Sequence, residues 1–180
     1  MTRRKLLRFA VLSALVLQSG CATLSRDECM GADLFRIGRE DGIRGYAFER
    51  IEDHRKACGE FGVSPNLAAY RSGRDDGLVH YCTPSSGYEQ GKSGASYHYV
   101  CPRELEAEFM RGFRTGTQVH DLTQQITQVD GKIKAKEKEL EKDKLPEEQR
   151  RTLRDHLHDL EHERNNLRTL RQSIEVMAIF

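Results

Sequence analysis

The chain has no excess of basic residues once its first twenty positions are set aside, and that absence removes a large class of functions. The 180 residues carry 29 Lys and Arg against 28 Asp and Glu. Four of the bases, Arg3, Arg4, Lys5 and Arg8, lie in residues 1–20, where there is no acid. Without those four, 25 bases face 28 acids, a net of −3. A nucleic-acid binder usually shows a basic face, and none stands outside the leader and the charged C-terminal third.

Other signatures are missing as well. There is no Ser-His-Asp pattern and no nucleophile elbow. Gly87-Tyr88-Glu89-Gln90-Gly91-Lys92-Ser93 resembles a phosphate loop, but it has three residues between its glycines where the motif needs four, and no apolar strand precedes it. Closely spaced cysteine pairs of the zinc-binding kind are absent. No cofactor is expected.

What is present begins with the leader. Met1 to Arg8 is basic, and Phe9 to Leu17 is an apolar run too short to span a membrane. Ser19 and Gly20 then precede Cys21. This arrangement predicts a lipoprotein signal peptide over 1–20, cleaved before Cys21, which becomes the diacylated N-terminus. The alternative is ordinary cleavage after Ala22, giving a soluble periplasmic protein. Ala22 is not an acidic retention residue, so the expected destination is the outer membrane, facing the periplasm. Residues 21–28 read as a tether.

Export places Cys29, Cys58, Cys82 and Cys101 in an oxidising compartment. Their number is even, which predicts two disulfides with three possible connectivities.

Composition divides the rest near residue 117. Residues 29–116 hold those four cysteines and all 6 tyrosines, whereas residues 117–180 are dominated by Lys, Glu, Arg, Gln and Leu. The first part repeats a pattern: an aromatic, Gly three later, and a second small residue four after that. The copies are Phe35/Gly38/Gly42, Tyr70/Gly73/Gly77, Tyr88/Gly91/Ala95 and Phe109/Gly112/Gly116. Offsets of three and four share a helix face. Glycine within a helix costs about 1 kcal/mol against Ala, so close helix–helix approach is the expected gain, with an aromatic covering a neighbour's notch. The competing reading is a set of turns.

The expected helices run from about Gly31 to Cys58, from Pro65-Asn66 to Cys82, from Ser86 to Tyr97, and onward from Pro102. If successive helices are antiparallel, Cys29 pairs with Cys82 and Cys58 with Cys101.

From 117 onward the apolar positions predict an antiparallel coiled-coil hairpin turning near 143–147, with Pro146 opening the second helix. One register, in which paired positions sum to 293, matches Leu140 with Leu153, Ile133 with Leu160, Ile126 with Leu167 and Val119 with Ile174. Its length would be roughly 40 Å at 1.5 Å per residue. Ile179 and Phe180 would return to the first domain. An intermolecular coiled coil, and so a homo-oligomer, is the rival.

Three groups invite a chemical reading. His158 and His162, beside His156, could share a metal ion, but their acidic neighbours read equally as a solvated face, and no metal site is expected. Glu40-Asp41 and Asp75-Asp76 could do acid/base work, yet each lies among Arg39, Arg44, Arg71 and Arg74 and reads as salt-bridged. A pocket lined by Tyr70, Tyr88, Tyr97 and His54 would indicate a ligand-binding or enzymatic domain, and a filled core would not.

His54-Arg55-Lys56-Ala57-Cys58, Gly73-Arg74-Asp75-Asp76-Gly77-Leu78, Tyr81-Cys82-Thr83-Pro84, Gly87-Tyr88-Glu89-Gln90-Gly91 and Val100-Cys101-Pro102 resemble a family of proteobacterial lipoproteins known as domain of unknown function 2799. The resemblance covers roughly 27–118. It implies location and fold, and it brings no activity. The expectation is therefore an all-α, non-catalytic envelope lipoprotein: a small disulfide-bonded domain on a membrane anchor at Cys21, with a hairpin that contacts an envelope protein partner.

Overall fold

The structure is a computed structural model and describes residues 23–31 and 33–178. Cys21, the leader, Ile179 and Phe180 lie outside the described residues. The described chain forms seven helices and no strand: α1 (Arg26–Gly31), α2 (Leu34–Ile43), α3 (Arg50–Gly59), α4 (Leu67–Tyr81), α5 (Pro84–Lys92), α6 (Arg103–Leu140) and α7 (Glu147–Ala178). It is an all-helical protein with two disulfides and a long helical hairpin.

The helix starts follow from side chains that accept otherwise orphaned backbone N–H groups. Asp33 accepts from Phe35 and Arg36 ahead of α2, and Asn66 from Ala68 and Ala69 ahead of α4. Thr83 accepts from Ser86 ahead of α5, with Pro84 in the first turn, where its missing N–H costs nothing. Ser25 and Glu28 form a reciprocal capping box at α1.

The helix expected from Gly31 to Cys58 is interrupted. α2 ends at Ile43, and Gly45 takes φ +70°, a left-handed conformation that favours glycine. The ring of Tyr81 also occupies the space a side chain at Gly45 would need. The chain therefore turns and comes back as α3, so that α4 runs parallel to α2.

The parallel course is visible in the glycine contacts. A Cβ at Gly38 would collide with the carbonyl of Tyr70 and one at Gly42 with that of Arg74; Gly73 and Gly77 face the carbonyls of Phe35 and Arg39. α5 and α6 repeat this, with Gly87 on Phe109, Gly91 on Phe113, Gly112 on Pro84 and Gly116 on Tyr88. In all eight cases the carbonyl belongs to the residue three before a glycine of the partner helix. Backbones this close allow Cα–H···O contacts, which offset the helix penalty of glycine. The covering group is thus a backbone carbonyl, that of an aromatic residue in five of the eight cases, and not a ring, a correction to the expectation. The third helix is also out of phase with it: α5 ends at Lys92, so its notch is Gly87 and Gly91, and Ala95 lies beyond.

Parallel pairs overturn the expected disulfides. Cys29 bonds Cys58, with Cα atoms 5.2 Å apart, and Cys82 bonds Cys101, with Cα atoms 5.6 Å apart. In each half a cysteine precedes the first notched helix, the chain returns, and a second cysteine precedes the second notched helix. The return is α3 in one half and residues 93–102 in the other. Each bridge joins the starts of two parallel helices, and the antiparallel assumption behind Cys29–Cys82 and Cys58–Cys101 does not hold.

Each half has its own core. Leu24, Leu34, Ile37, Ile51 and Tyr70 gather around Cys29 and Cys58. Leu78, Tyr81 and Phe109 gather around Cys82 and Cys101. Phe109 lies 4.8 Å from Tyr97 and 5.2 Å from Tyr81, ring centre to ring centre.

α6 runs 38 residues without a break, about 57 Å, so the compositional boundary at 117 falls inside one helix. Val119, Leu122, Ile126, Val129 and Ile133 on it are buried. Opposite, Leu153 is buried, while Leu160, Leu167 and Ile174, like Leu140, are half-buried. Across the hairpin, Asp130 meets both Arg164 and Arg168 at 3.5 Å. Lys92 fastens the far end of α7 to α5 through Glu175 at 3.3 Å.

Candidate functional site

The most organised polar group in the molecule lies inside the first half. Asp41 of α2, His54 of α3 and Tyr70 of α4 meet there. His54 Nε2 is 2.7 Å from Asp41 Oδ2, and the Tyr70 hydroxyl donates to the same oxygen at 2.8 Å. Arg50 Nε approaches Asp41 Oδ1 at 3.5 Å. On the other side of the ring, His54 Nδ1 is 2.9 Å from Thr23 Oγ1. Asp41 is 5% exposed, His54 2% and Tyr70 0%.

The electrostatics follow from that burial. Desolvation pushes the Asp41 carboxyl up, but hydrogen bonds from His54 and Tyr70, with the nearby charges of His54 and Arg50, outweigh it and leave it below its ordinary range. The Tyr70 hydroxyl is driven well above its ordinary value, by burial first and then by the carboxylate it serves.

Asp41 was legible only as half of an acidic pair with basic neighbours. Its partners come instead from α3 and α4, brought by the turn at Gly45. Glu40, one residue away, points outward to Arg36 at 2.6 Å. Asp76 pairs with Arg39 at 2.8 Å. Arg74 is buried and donates through Nε and Nη2 to the carbonyl of Tyr46, at 3.0 and 2.9 Å. Thr23 carried no sequence signal, and His54 carried one as a residue of the Cys58 motif and as a candidate pocket residue.

His54 and Tyr70 therefore sit in a filled core. Tyr97 belongs to the second core, and Tyr88 lines a separate groove among α5, α6 and the end of α7, with Glu89, Arg111, Gln118, Ile174 and Met177. His158 and His162 share a shallow exposed face of α7 with Asp159, Glu163 and Asn166, whose amide nitrogen is 3.1 Å from His162 Nδ1. Among the described residues no group of three or more His, Cys, Asp or Glu is placed to hold a metal ion. No described helix is long and apolar enough to cross a membrane.

Thr23 and Leu24 do not behave as a free tether. Leu24 is 5% exposed within the first core, and α1 carries the chain on into Cys29.

No curated protein and no solved structure matches this chain. The matched family model spans both glycine-notched pairs and the second of the two disulfides in full. Residues 33–118, the helical domain of this chain, match the family model described as Protein of unknown function (DUF2799).

Proposed function

We propose that the protein is a non-catalytic envelope lipoprotein, exported by residues 1–20, acylated on Cys21 and lodged in the outer membrane, whose hairpin contacts or spaces a periplasmic partner. The observation that carries this reading is the continuity of α6. One helix is clamped by Gly112 and Gly116 in the domain and extends as the inner helix of the hairpin to Leu140. A contact made at the tip is thus rigidly coupled to the anchored end. Leu170, Val176 and Met177 add exposed apolar surface on α7, at 52%, 51% and 69%. Apolar side chains in an otherwise charged helix suit a protein contact.

Photo-crosslinking in living cells from Lys144, at the tip, and from Leu170 tests the proposal. A discrete protein adduct from either is expected and would identify the partner. Silence from both, with an adduct from Tyr88, would move the functional surface to the helical domain.

A second reading rests on Thr23, His54 and Asp41, whose hydroxyl–imidazole–carboxylate order is that of a nucleophile, its base and the group that orients the base. In its favour, the two hydrogen bonds are 2.9 and 2.7 Å. Covalent labelling of Thr23 by an acylating or phosphonylating probe, abolished by His54→Gln, would establish it over the first reading.

A further inference from the structure

The short link between the anchor and the packed chain has a geometric consequence. Thr23 is held by His54, and Leu24 is sealed into the first core. Two residues of extended chain reach at most about 7 Å, so Cys21 cannot stand farther than that from Thr23. We propose that the face formed by α1 and α3 rests directly on the lipid surface that receives the acyl chains of Cys21, with no flexible spacer between them. This rests on the lipoprotein reading above.

The composition of that face fits a bilayer interface. Met30 and Phe61 are 62% and 39% exposed. They flank the Cys29–Cys58 bridge: Met30 follows Cys29, and the Phe61 N–H donates to the Cys58 carbonyl at 3.0 Å. Both are thus held on backbone fixed by the bridge. Over residues 26–31 and 50–60 there are four bases and five acids. Adhesion therefore comes from the acyl chains and the two apolar side chains, and it is insensitive to salt and to the content of anionic lipid. A single acyl attachment site on a loose tether would let the domain tumble. Thr23 fixed on His54 gives the domain, and with it α6, a set orientation to the membrane.

The chain contains no tryptophan, so single-tryptophan variants report cleanly. Met30→Trp, Phe61→Trp and Lys144→Trp would be made in the full lipidated chain and reconstituted in phosphatidylcholine vesicles carrying brominated acyl chains. Mass measurement of the N-terminal peptide and circular dichroism would accompany each. Acylated Cys21, blue-shifted and strongly quenched emission from positions 30 and 61, and unquenched emission from 144 are expected. Acylated, vesicle-bound protein with unquenched tryptophan at both 30 and 61 would overturn the flush arrangement and leave the anchor intact. An unmodified Cys21 would overturn the lipoprotein reading and the arrangement together.

Discussion

His54 Nε2 lies 2.7 Å from Asp41 Oδ2, and the two side chains are almost closed to solvent. The pair joins α2 to α3, and Tyr70 brings α4 to the same oxygen. Removing the carboxylate leaves two buried donors without an acceptor. Asp41→Ala should lower stability by about 2–4 kcal/mol, and Tyr70→Phe by about 1–2 kcal/mol. Urea unfolding of each variant measures this. Stability within experimental error of the parent for Asp41→Ala would show that the network contributes nothing.

The same network sets a pH dependence. The Asp41 carboxyl is depressed in the folded state, so its contribution is fully present above the ordinary carboxyl value of 3.8 and is lost as pH falls through the lower folded value. The Tyr70 hydroxyl is raised, so its contribution is present below its ordinary value of 10.0 and is lost as pH rises beyond that. Unfolding free energy should therefore fall below about pH 4 and again above about pH 10. Asp41→Asn should flatten the acid limb and Tyr70→Phe the alkaline one. Unchanged limbs in these variants would assign the pH dependence to other groups.

Glycine contacts make a contrast within one helix. At Gly112 an added Cβ would meet the Pro84 carbonyl, whereas at Gly131 nothing lies within 4 Å. Gly112→Ala should destabilise by about 1–3 kcal/mol through backbone displacement. Gly131→Ala should stabilise by about 0.5–1 kcal/mol. Thermal melting of both variants decides the matter. A gain at Gly112 would mean the helices can part at no cost.

Peptide mapping without reduction should recover Cys29 with Cys58 and Cys82 with Cys101. The loops span 29 and 19 residues, and closing loops of that size contributes about 3–4 kcal/mol each in the chain-entropy account. Cys29→Ser with Cys58→Ser should therefore lower the urea midpoint strongly. Recovery of a Cys29–Cys82 peptide would contradict the parallel arrangement of α2 and α4.

Leu170→Glu separates stability from contact. The side chain is 52% exposed, so the change should shift stability by no more than about 0.5 kcal/mol. It should nevertheless remove or weaken any adduct formed from that face of α7. A large stability loss would mean that Leu170 is needed for the hairpin itself.

Much of this architecture could be read along the chain because local rules decide it. The spacing of Gly38 with Gly42, and of Gly112 with Gly116, marks one face of a helix whatever that face later meets. Asn66 starts a helix through bonds to residues two and three away. The hairpin was legible because apolar positions recur along two helical stretches joined by one short, proline-marked turn. The even count of cysteines beyond Cys21 likewise announced two bridges.

Which residues meet across the fold was another matter. Whether α2 and α4 run parallel or antiparallel depends on the turn at Gly45 and on α3 returning the chain, a long-range choice that no local pattern records. Both disulfide pairings follow from it, since parallel helices bring their starts together. The same turn carries His54 and Tyr70 to Asp41, and packing brings Thr23 to the ring. Residue types and spacing decide helices because helical neighbours are close in sequence. Partners 13 to 31 residues apart, like those of His54 and Asp41, are chosen only when burial forces their polar groups to satisfy one another.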